Sequence, residues 1–308
     1  MIKNNLILSI DGGGTKTDFL IVNIKKLIKY EFSGPGSNPN FYGIDGIKNL
    51  INSLKILIKK NNIDKNEVDL IILGLAGISN KKYKNYLDNF FNSFFPNKRI
   101  ILTSDAVIAH KSIWGDEKGV TLLVGTGTIG ISNENNQHNF ITSGGLGFEN
   151  HDVGGGYWIG KTLIFYLIST KNFDKNIAYN DLIEMVKEHY KKNNFNDVLD
   201  FSLGMEGRLG LASLAPKVIN LAKEGNEIAY KICDDGCEGL KQILIDLNFK
   251  EKNKIAFHGS LILKSNFYRS ILLSKFNNIN WIKSSFKAVY GGLTILSGLN
   301  PKKYKNFK

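Results

Sequence analysis

A short glycine-rich segment near the start of the sequence carries the residue types of a phosphate-binding hairpin. It consists of Asp11-Gly12-Gly13-Gly14-Thr15-Lys16-Thr17 and lies between two apolar, strand-like runs. The glycines let backbone N–H groups approach a polyphosphate, Thr15 and Thr17 can donate to its oxygens, and Asp11 can hold a hydrated Mg²⁺. Such a segment is also compatible with a simple tight turn, so the rest of the chain has to decide between the two interpretations.

A second glycine-rich segment, Gly125-Thr126-Gly127-Thr128-Ile129, also connects two strand-like runs. Two hairpins of one kind in a single chain predict two halves of similar structure. The apolar pattern predicts β-β-β-α-β-α-β in the first half, and a hairpin, a long helical region and a closing strand–helix unit in the second. The predicted ranges are 6–10, 19–22, 27–32, 44–60, 68–73, 81–95 and 99–103, followed by 120–132, 161–247, 254–257 and 280–299.

Length and charge limit the possible functions. With 308 residues the chain is long enough for two domains that each bury a core. The net charge of +12 comes from lysines spread along the chain, which predicts a solvated basic surface and not a nucleic-acid site. We expect only a weak attraction for anionic nucleotides or phosphosugars.

The two cysteines of the chain, Cys233 and Cys237, lie one helical turn apart in a segment with a helical apolar period. This spacing predicts two buried thiols, and a metal site would need further ligands that the neighbouring sequence lacks. The sequence also shows no leader-like segment and no apolar run of roughly 20 residues, so we expect a cytoplasmic protein with no membrane partner.

Several motifs, taken in order, resemble one superfamily: the sugar kinase, acetate kinase, actin and heat-shock chaperone ATPases. Within it the sequence is most similar to the N-acetylglucosamine kinase branch, in the BadF/BadG/BcrA/BcrD ATPase family. The motifs that carry the likeness, besides the two hairpins, are Thr103-Ser104-Asp105-Ala106, Gly144-Gly145-Leu146-Gly147, Asp152, Gly156-Tyr157-Trp158-Ile159-Gly160, Ala256-Phe257-His258-Gly259-Ser260 and Tyr290-Gly291-Gly292.

The resemblance implies an α/β fold with two RNase H-like, actin-like ATPase domains. Each would hold a mixed five-stranded sheet with flanking helices, and the nucleotide cleft would lie between them. The first domain would span 1–112 and be joined by a C-terminal helix at 290–308. The second, larger domain would span 113–289 and contain a helical insertion.

The resemblance also implies ATP and Mg²⁺ as cofactors and an amino sugar as the substrate. Asp105 matches the general base that accepts the proton of the sugar 6-hydroxyl, and Asp11 would bind Mg²⁺ through water. The implied ATP-binding residues are Gly12, Gly13, Gly14, Thr15, Lys16, Thr17, Gly125, Thr126, Gly127, Ala212, Gly259 and Ser260. The implied sugar-binding residues are Asn38, Asp105, Thr128, Gly145, Leu146, Gly147 and Asp152.

Each of these assignments has a plainer alternative. Asp105 is a good helix N-cap, although Ser104 could take that role instead. Lys16 could be a solvated lysine, and Asn38, next to a proline, could be a turn former. Asp152 could be a loop aspartate with satisfied hydrogen bonds, and the small residues near Ala212, Gly259 and Ser260 could serve helix packing.

The sequence departs from the family pattern around the implied sugar site. Leu146 stands in place of a tryptophan, His151 of a glycine, Val153 of a glutamate and Gly155 of a serine, while Asp152 is kept. These differences leave the accepted sugar open among N-acetylglucosamine, glucosamine, N-acetylmannosamine and N-acetylmuramic acid.

Three functions are compatible with the resemblance. The best supported is an ATP-dependent amino-sugar kinase acting at O6 of N-acetylglucosamine. The resemblance is also compatible with a homodimer. An ATPase activator of 2-hydroxyacyl-CoA dehydratase or benzoyl-CoA reductase type would need exposed cysteine ligands for an iron–sulfur cluster. A non-catalytic sugar or nucleotide sensor would be free to lose the base, whereas Asp105 and both hairpins are present.

Overall fold

A computed structural model describes residues 6–133, 139–147, 152–169, 177–203, 207–250, 254–284 and 286–295. The chain forms two compact units. Of the described residues, the first contains those up to Lys118, 139–140 and those from Ser284 onward, and the second contains Gly119–Asn133 and those within Ile141–Lys283. The domain limits of 112 and 289 stay predictions of the family resemblance.

The first unit is built on a five-stranded sheet whose strands follow the order β3-β2-β1-β4-β5. β1 runs antiparallel to β2 and β2 antiparallel to β3, while β4 and β5 continue parallel to β1. The strands are β1 (Leu6–Gly12), β2 (Lys16–Asn23), β3 (Ile28–Pro35), β4 (Val68–Leu75) and β5 (Arg99–Thr103).

Helices cover the first sheet because its central strands are apolar on both faces. Ile7, Leu8 and Ile10 of β1 are fully buried. The helices are α1 (Pro39–Tyr42), α2 (Ile44–Lys60), α3 (Lys81–Phe94) and α4 (Asp105–Trp114), with short 3₁₀ helices at Lys65–Glu67 and Ala288–Leu293. Apolar residues of α2 and α3 share one core with the sheet, and the Ile108 side chain of α4 lies against Gly74 of β4.

The second unit repeats this arrangement in a sheet of order β10-β9-β6-β7-β8. β6 runs antiparallel to β7 and parallel to β9, which runs parallel to β10. The strands are β6 (Gly119–Val124), β7 (Thr128–Asn133), β8 (Phe140–Gly144), β9 (Lys254–His258) and β10 (Asn280–Lys283). If the strands of each unit are numbered one to five along the chain, both sheets have the order 3-2-1-4-5. The predicted similar halves and mixed five-stranded sheets are therefore confirmed.

Seven described helices belong to the second unit. They are α5 (Gly156–Ser169), α6 (Ile177–Tyr190), α7 (Phe195–Leu203), α8 (Gly207–Lys223), α9 (Glu227–Asp246), α10 (Ser260–Lys264) and α11 (Asn266–Ser274). α5 begins five residues before the predicted 161, inside the glycine-rich segment. Its glycines suit a close helix crossing: a Cβ at Gly160 would lie 2.0 Å from the Leu211 carbonyl oxygen of α8.

The end of the chain differs from the predicted strand–helix unit. β10 is present, but Ala288–Leu293 forms a 3₁₀ helix. Gly291 packs so closely on α4 that a Cβ there would lie 1.7 Å from the Ile108 carbonyl oxygen. The remainder of the predicted 290–308 helix, from residue 296, lies outside the described residues. In the part of the chain that the structure describes, no helix is long and apolar enough to cross a membrane.

Candidate active site

The first predicted phosphate hairpin is the β1–β2 connection. Asp11 pairs with Asp18 and Gly12 with Thr17 in the antiparallel register, which leaves Gly13, Gly14 and Thr15 to form the turn. The Gly13 N–H closes the turn on the Lys16 carbonyl at 3.0 Å.

The carbonyl groups of the three glycines are all bound by the surrounding loops. The Gly12 carbonyl accepts the Ala76 N–H at 2.9 Å, and the Gly13 carbonyl accepts the Ser37 N–H at 3.0 Å. The Gly14 carbonyl accepts the Tyr42 hydroxyl at 2.9 Å. The turn is thus held in one conformation by groups that a sequence motif does not reveal.

Thr17 is placed differently from its predicted role. It is fully buried, and its hydroxyl donates to the Pro35 carbonyl of β3 at 2.8 Å. Thr15, on the turn before β2, is exposed. Thr17 therefore supports the hairpin in this structure, and Thr15 is the hydroxyl that a phosphate could reach.

Lys16 is exposed, but its ammonium group is paired with the carboxylate of Asp18. Asp18 is buried and also accepts a hydrogen bond from the Ser33 hydroxyl of β3. The sequence analysis did not single out Asp18. The pair could have been found from the spacing, because a carboxylate two residues after a lysine in a strand lies on the same face as the lysine.

Asp105 stands at the start of α4, directly after β5. Ser104 is the N-cap, and its hydroxyl accepts the Val107 N–H at 3.3 Å. Asp105 is partly buried, and one carboxylate oxygen accepts the neighbouring Ala106 N–H at 3.0 Å. The capping role thus falls to Ser104, the alternative that the sequence left open.

The carboxyl ends of three parallel strands bring Asp105 near Asp11. Asp11 of β1 pairs with Gly74 of β4, and Gly74 pairs with Thr103 of β5. Burial raises the pKa of Asp11 well above its usual range, the charges of Asp105 and Asp18 raise it further, and Lys16 lowers it. Three carboxyl groups and one lysine therefore interact electrostatically at this edge of the sheet.

Asn38 acts as the N-cap of α1 and is largely buried. Its side-chain oxygen accepts the Asn40 N–H at 2.9 Å. A Cβ at Gly77 would lie 2.5 Å from that oxygen, so the loop after β4 packs against it. The side-chain oxygen of Asn38 therefore acts as a turn former, which is the alternative that the sequence analysis gave for this residue.

The second predicted phosphate hairpin is the β6–β7 connection. Its turn closes through the Gly125 N–H and the Gly127 carbonyl at 3.0 Å. The start of α5 is bound to the same turn, because the Gly156 N–H donates to Gly125 at 2.8 Å and the Tyr157 N–H donates to Thr126 at 2.9 Å.

Asp152 lies beside this second turn and is buried. A Cβ at Gly127 would lie 2.2 Å from its Oδ2 atom. Burial raises the pKa of Asp152, and the backbone N–H groups of Thr128, Gly145 and Gly147 oppose that rise. Among the described residues, Asp152 Oδ1 and Thr128 Oγ1 are buried with no hydrogen-bond partner. Two unpartnered polar atoms at one place are suited to a polar ligand.

Leu146 is exposed over 72% of its surface, between two glycines in the left-handed backbone region. The Gly145 N–H donates to the Thr128 carbonyl at 2.8 Å, which fixes the base of the loop. The loop thus holds an apolar side chain in solvent next to Asp152. His151, another of the four departures from the family pattern, lies outside the described residues.

The three residues predicted to line the adenosine also lie near the second hairpin. A Cβ at Gly156 would lie 3.1 Å from the Ala212 carbonyl oxygen and 3.2 Å from that of Gly125. Gly259 has a φ of +95°, and a Cβ there would lie 2.4 Å from the Val124 carbonyl oxygen. Ser260 follows as the first residue of α10.

Ser260 also lines a cavity of about 430 Å³ in the second unit. Its other walls come from α8 and from the chain around α10 and α11: Pro216, Ile219, Asn220, Lys223, Leu261, Lys264, Ser265, Asn266 and Phe267. The sequence analysis missed these residues. Positions 216, 219, 220 and 223 do have the spacing of one helix face, which continues the face of Ala212.

The cysteines are buried on α9, as predicted. Burial raises the pKa of Cys233 to about 12 and raises that of Cys237 as well. No group of three or more histidine, cysteine or acidic residues that could hold a metal occurs within the described ranges. Two protonated, buried thiols do not resemble the exposed ligands of a cluster.

The two units with sheets of like strand order form the actin-like ATPase fold, in agreement with the sequence prediction. The chain matches the BadF/BadG/BcrA/BcrD ATPase family over residues 8–294. It belongs to that family, and the predicted family membership is confirmed.

Curated relatives cover nearly the whole chain. The chain is 24% identical over 292 residues to the N-acetyl-D-glucosamine kinase of Dictyostelium discoideum, covering 89% of this chain and 91% of that protein. It is 25% identical over 285 residues to the N-acetylmuramic acid/N-acetylglucosamine kinase of Clostridium acetobutylicum, covering 90% of this chain and 92% of that protein.

Solved structures show the same fold. A proposed N-acetylglucosamine kinase from Chromobacterium violaceum has a TM-score of 0.74 at 19% identity, covering 94% of this chain and 98% of that chain. A ROK family glucokinase from Streptomyces griseus, solved with glucose and AMPPNP, has a TM-score of 0.52 at 14% identity, covering 94% of this chain and 97% of that chain.

Proposed function

We propose that this protein is an ATP-dependent sugar kinase that phosphorylates the 6-hydroxyl of an N-acetylated amino sugar. The observation that carries the proposal is the position of Asp105: it follows β5 at the same sheet edge as Asp11, and Ser104 relieves it of the capping role. The names of the two curated relatives support the sugar class.

Asp105 would act as the general base. Its carboxylate accepts the proton of the sugar hydroxyl while the oxygen attacks the γ-phosphorus of ATP. The bond from that phosphorus to the β–γ bridging oxygen breaks as the new O–P bond forms, and ADP leaves with the electron pair.

The residues around Asp11 fit a hydrated magnesium ion. Burial and the charges of Asp105 and Asp18 raise the pKa of Asp11, and a cation at this sheet edge would oppose that rise. Mg²⁺ commonly uses one or two carboxylates together with water and phosphate oxygens, and when bound it supplies charge neutralisation on the transferring phosphoryl group. In this proposal Asp11 holds the ion through water.

Each hairpin, taken by itself, could bind phosphate oxygens through its backbone N–H groups, with Thr15 as a hydroxyl donor in the first unit and Thr126 in the second. The cavity beside Ser260 would take the adenosine, because its walls combine the apolar Ile219 and Phe267 with polar side chains.

The sugar would bind at Asp152 and Thr128. Asp152 Oδ1 and Thr128 Oγ1 are buried polar atoms that adjacent ring hydroxyl groups can satisfy. Leu146 offers an apolar contact for the methyl group of an N-acetyl substituent. A homodimer and a cytoplasmic location stay predictions of the family resemblance.

The direct test is ADP production by the purified protein with Mg-ATP and a panel of hexoses, 2-amino sugars, 2-acetamido sugars and 3-O-lactyl sugars. The proposal predicts turnover that depends on a 2-acetamido sugar, with a product heavier by one phosphoryl group in mass spectrometry. ATP hydrolysis without any sugar would favour an ATPase activator, and silence with every sugar would favour a sensor.

A further inference from the structure

Tyr268 of α11 is fully buried, and its hydroxyl donates to the Gly154 carbonyl at 2.8 Å. Gly154 lies two residues after Asp152, in the segment that leads into α5. Its φ is +81°, and a Cβ there would lie 2.6 Å from the Gly236 carbonyl oxygen. The hydrogen bond therefore reaches a backbone position that is already tightly enclosed.

Residues 152–157, which we call the linking segment, rest on a glycine face of α9. A Cβ at Gly239 would lie 2.2 Å from a methyl carbon of Val153, and a Cβ at Gly236 would lie 2.8 Å from the Tyr268 hydroxyl. α9 and Tyr268 thus support the linking segment from one side.

The linking segment is also bound to the second hairpin. Gly156 and Tyr157 donate N–H groups to the turn carbonyls, as described above. A Cβ at Gly155 would lie 2.9 Å from both the Gly127 carbonyl carbon and Thr128 Oγ1. One short segment therefore connects Asp152, the hairpin turn and the buried tyrosine.

We propose that Tyr268 is a positioning residue that sets the sugar-binding Asp152 and the phosphate-binding turn at Gly125–Gly127 in a fixed relation through the Gly154 carbonyl. The assignment deepens the proposed kinase function and rests on it. Tyr268 is buried within the unit, so it acts through the backbone of the linking segment and not on the substrates.

The variant that isolates this role is Tyr268→Phe, because it removes only the hydroxyl. The Gly154 carbonyl then loses its donor, and the linking segment is held less precisely. We expect the KM for the sugar to rise about ten-fold while kcat changes by less than about three-fold, because ground-state positioning of Asp152 is lost and Asp105 is untouched.

The matched control is Tyr179→Phe. Tyr179 is also buried in the second unit, and its hydroxyl donates to the Leu167 carbonyl at 2.7 Å. This hydrogen bond joins α6 to the far end of α5, away from the linking segment. We expect a similar loss of stability with an unchanged KM for the sugar. An equal KM increase in both variants would overturn the proposal, since it would reduce the effect to general destabilisation.

A second readout does not depend on the proposed function. Amide hydrogen exchange of peptides that cover 152–157 should become faster in Tyr268→Phe and stay as in the wild type in Tyr179→Phe. Unchanged exchange in Tyr268→Phe would overturn the positioning role, whatever the activity. A wild-type protein without sugar-dependent turnover would instead contradict the kinase function, and the exchange result would still decide the role of Tyr268.

Discussion

Burial, and after it the charge of Asp105, raises the pKa of Asp11, although the two residues lie in different elements and far apart in the sequence. They come together because β1 and β5 flank β4 in one parallel group and end at the same edge of the sheet. Ser104 caps α4, and one Asp105 carboxylate oxygen accepts the Ala106 N–H at 3.0 Å. This pair of carboxylates is the feature of the first unit best suited to phosphoryl transfer.

The second hairpin provides a matched pair of glycine variants. A Cβ at Gly127 would lie 2.2 Å from Asp152 Oδ2, whereas a Cβ at Gly125 meets no described atom within 4 Å. We expect Gly127→Ala to displace Asp152 and raise the KM for the sugar about ten-fold, since a rigid backbone cannot absorb the clash.

Gly125→Ala should affect the KM for ATP only, because its new methyl group enters space that the proposal assigns to phosphate. Steady-state kinetics with each substrate varied in turn measure both constants. If both variants change the same KM, the assignment of the sugar to Asp152 and of the ATP phosphates to this turn is wrong.

Glu31 of β3 forms an ion pair with Lys287 at 2.7 Å and also accepts the Tyr290 hydroxyl, so it fastens the 286–293 segment to the first sheet. Burial works against ionisation, but the hydrogen bonds from Lys287 and Tyr290 prevail and lower the pKa of Glu31 from 4.5. A lowered pKa adds stability that is present above pH 4.5 and is lost as the pH falls through the lower, folded value.

We therefore expect Glu31→Gln to reduce the free energy of unfolding by about 1 kcal/mol at pH 7. The difference from the wild type should shrink as the pH falls below 4.5. Urea unfolding at several pH values measures this difference. Glu67→Gln, at an exposed residue of the first unit, is the control; a constant difference at all pH values would contradict the ion pair.

The cysteine thiols should be unreactive in the folded protein. Burial raises the pKa of Cys233 to about 12 from an ordinary value of 9.0, so the thiolate form is suppressed until well above pH 9. The contribution of the protonated Cys233 thiol to the free energy of unfolding is fully present below pH 9 and is lost as the pH rises toward 12. A colorimetric thiol assay at pH 8 should count no thiols in native protein and 2 in denaturant. Rapid labelling of the native protein would favour the iron–sulfur alternative.

The sequence predicted nine of the ten described strands and both hairpins because their signals are local, but it missed β8 (Phe140–Gly144). Continuous apolar runs specify buried strands, and glycines between them specify tight connections, so helix Ile44–Lys60 and strand Arg99–Thr103 have their predicted bounds. The similar order of the two sheets followed from the repeat of one motif.

The parts that escaped prediction depend on contacts between distant residues. The inward role of Thr17 is set by Pro35 on the neighbouring strand. The hydrogen bond of Tyr268 to Gly154 joins residues from different elements, and the cavity wall at Pro216 and Ile219 needs α8 to pack beside α10. The spacing of residues along the chain does not encode these pairings.

The central claim is that Asp105 is the base of a sugar kinase, and the most direct test compares Asp105→Asn with Asp45→Asn. Asp45 is also an acidic residue in the first turn of a helix of the first unit, but it is exposed and paired with Lys48. The measurement is sugar-dependent ADP production, with ATP affinity determined by calorimetry.

The account predicts that Asp105→Asn lowers kcat at least about 100-fold while ATP affinity stays within a few-fold of the wild type, because only proton transfer is removed. Asp45→Asn should keep wild-type turnover. Wild-type turnover in Asp105→Asn, or an equal loss in Asp45→Asn, would contradict the assignment of the base.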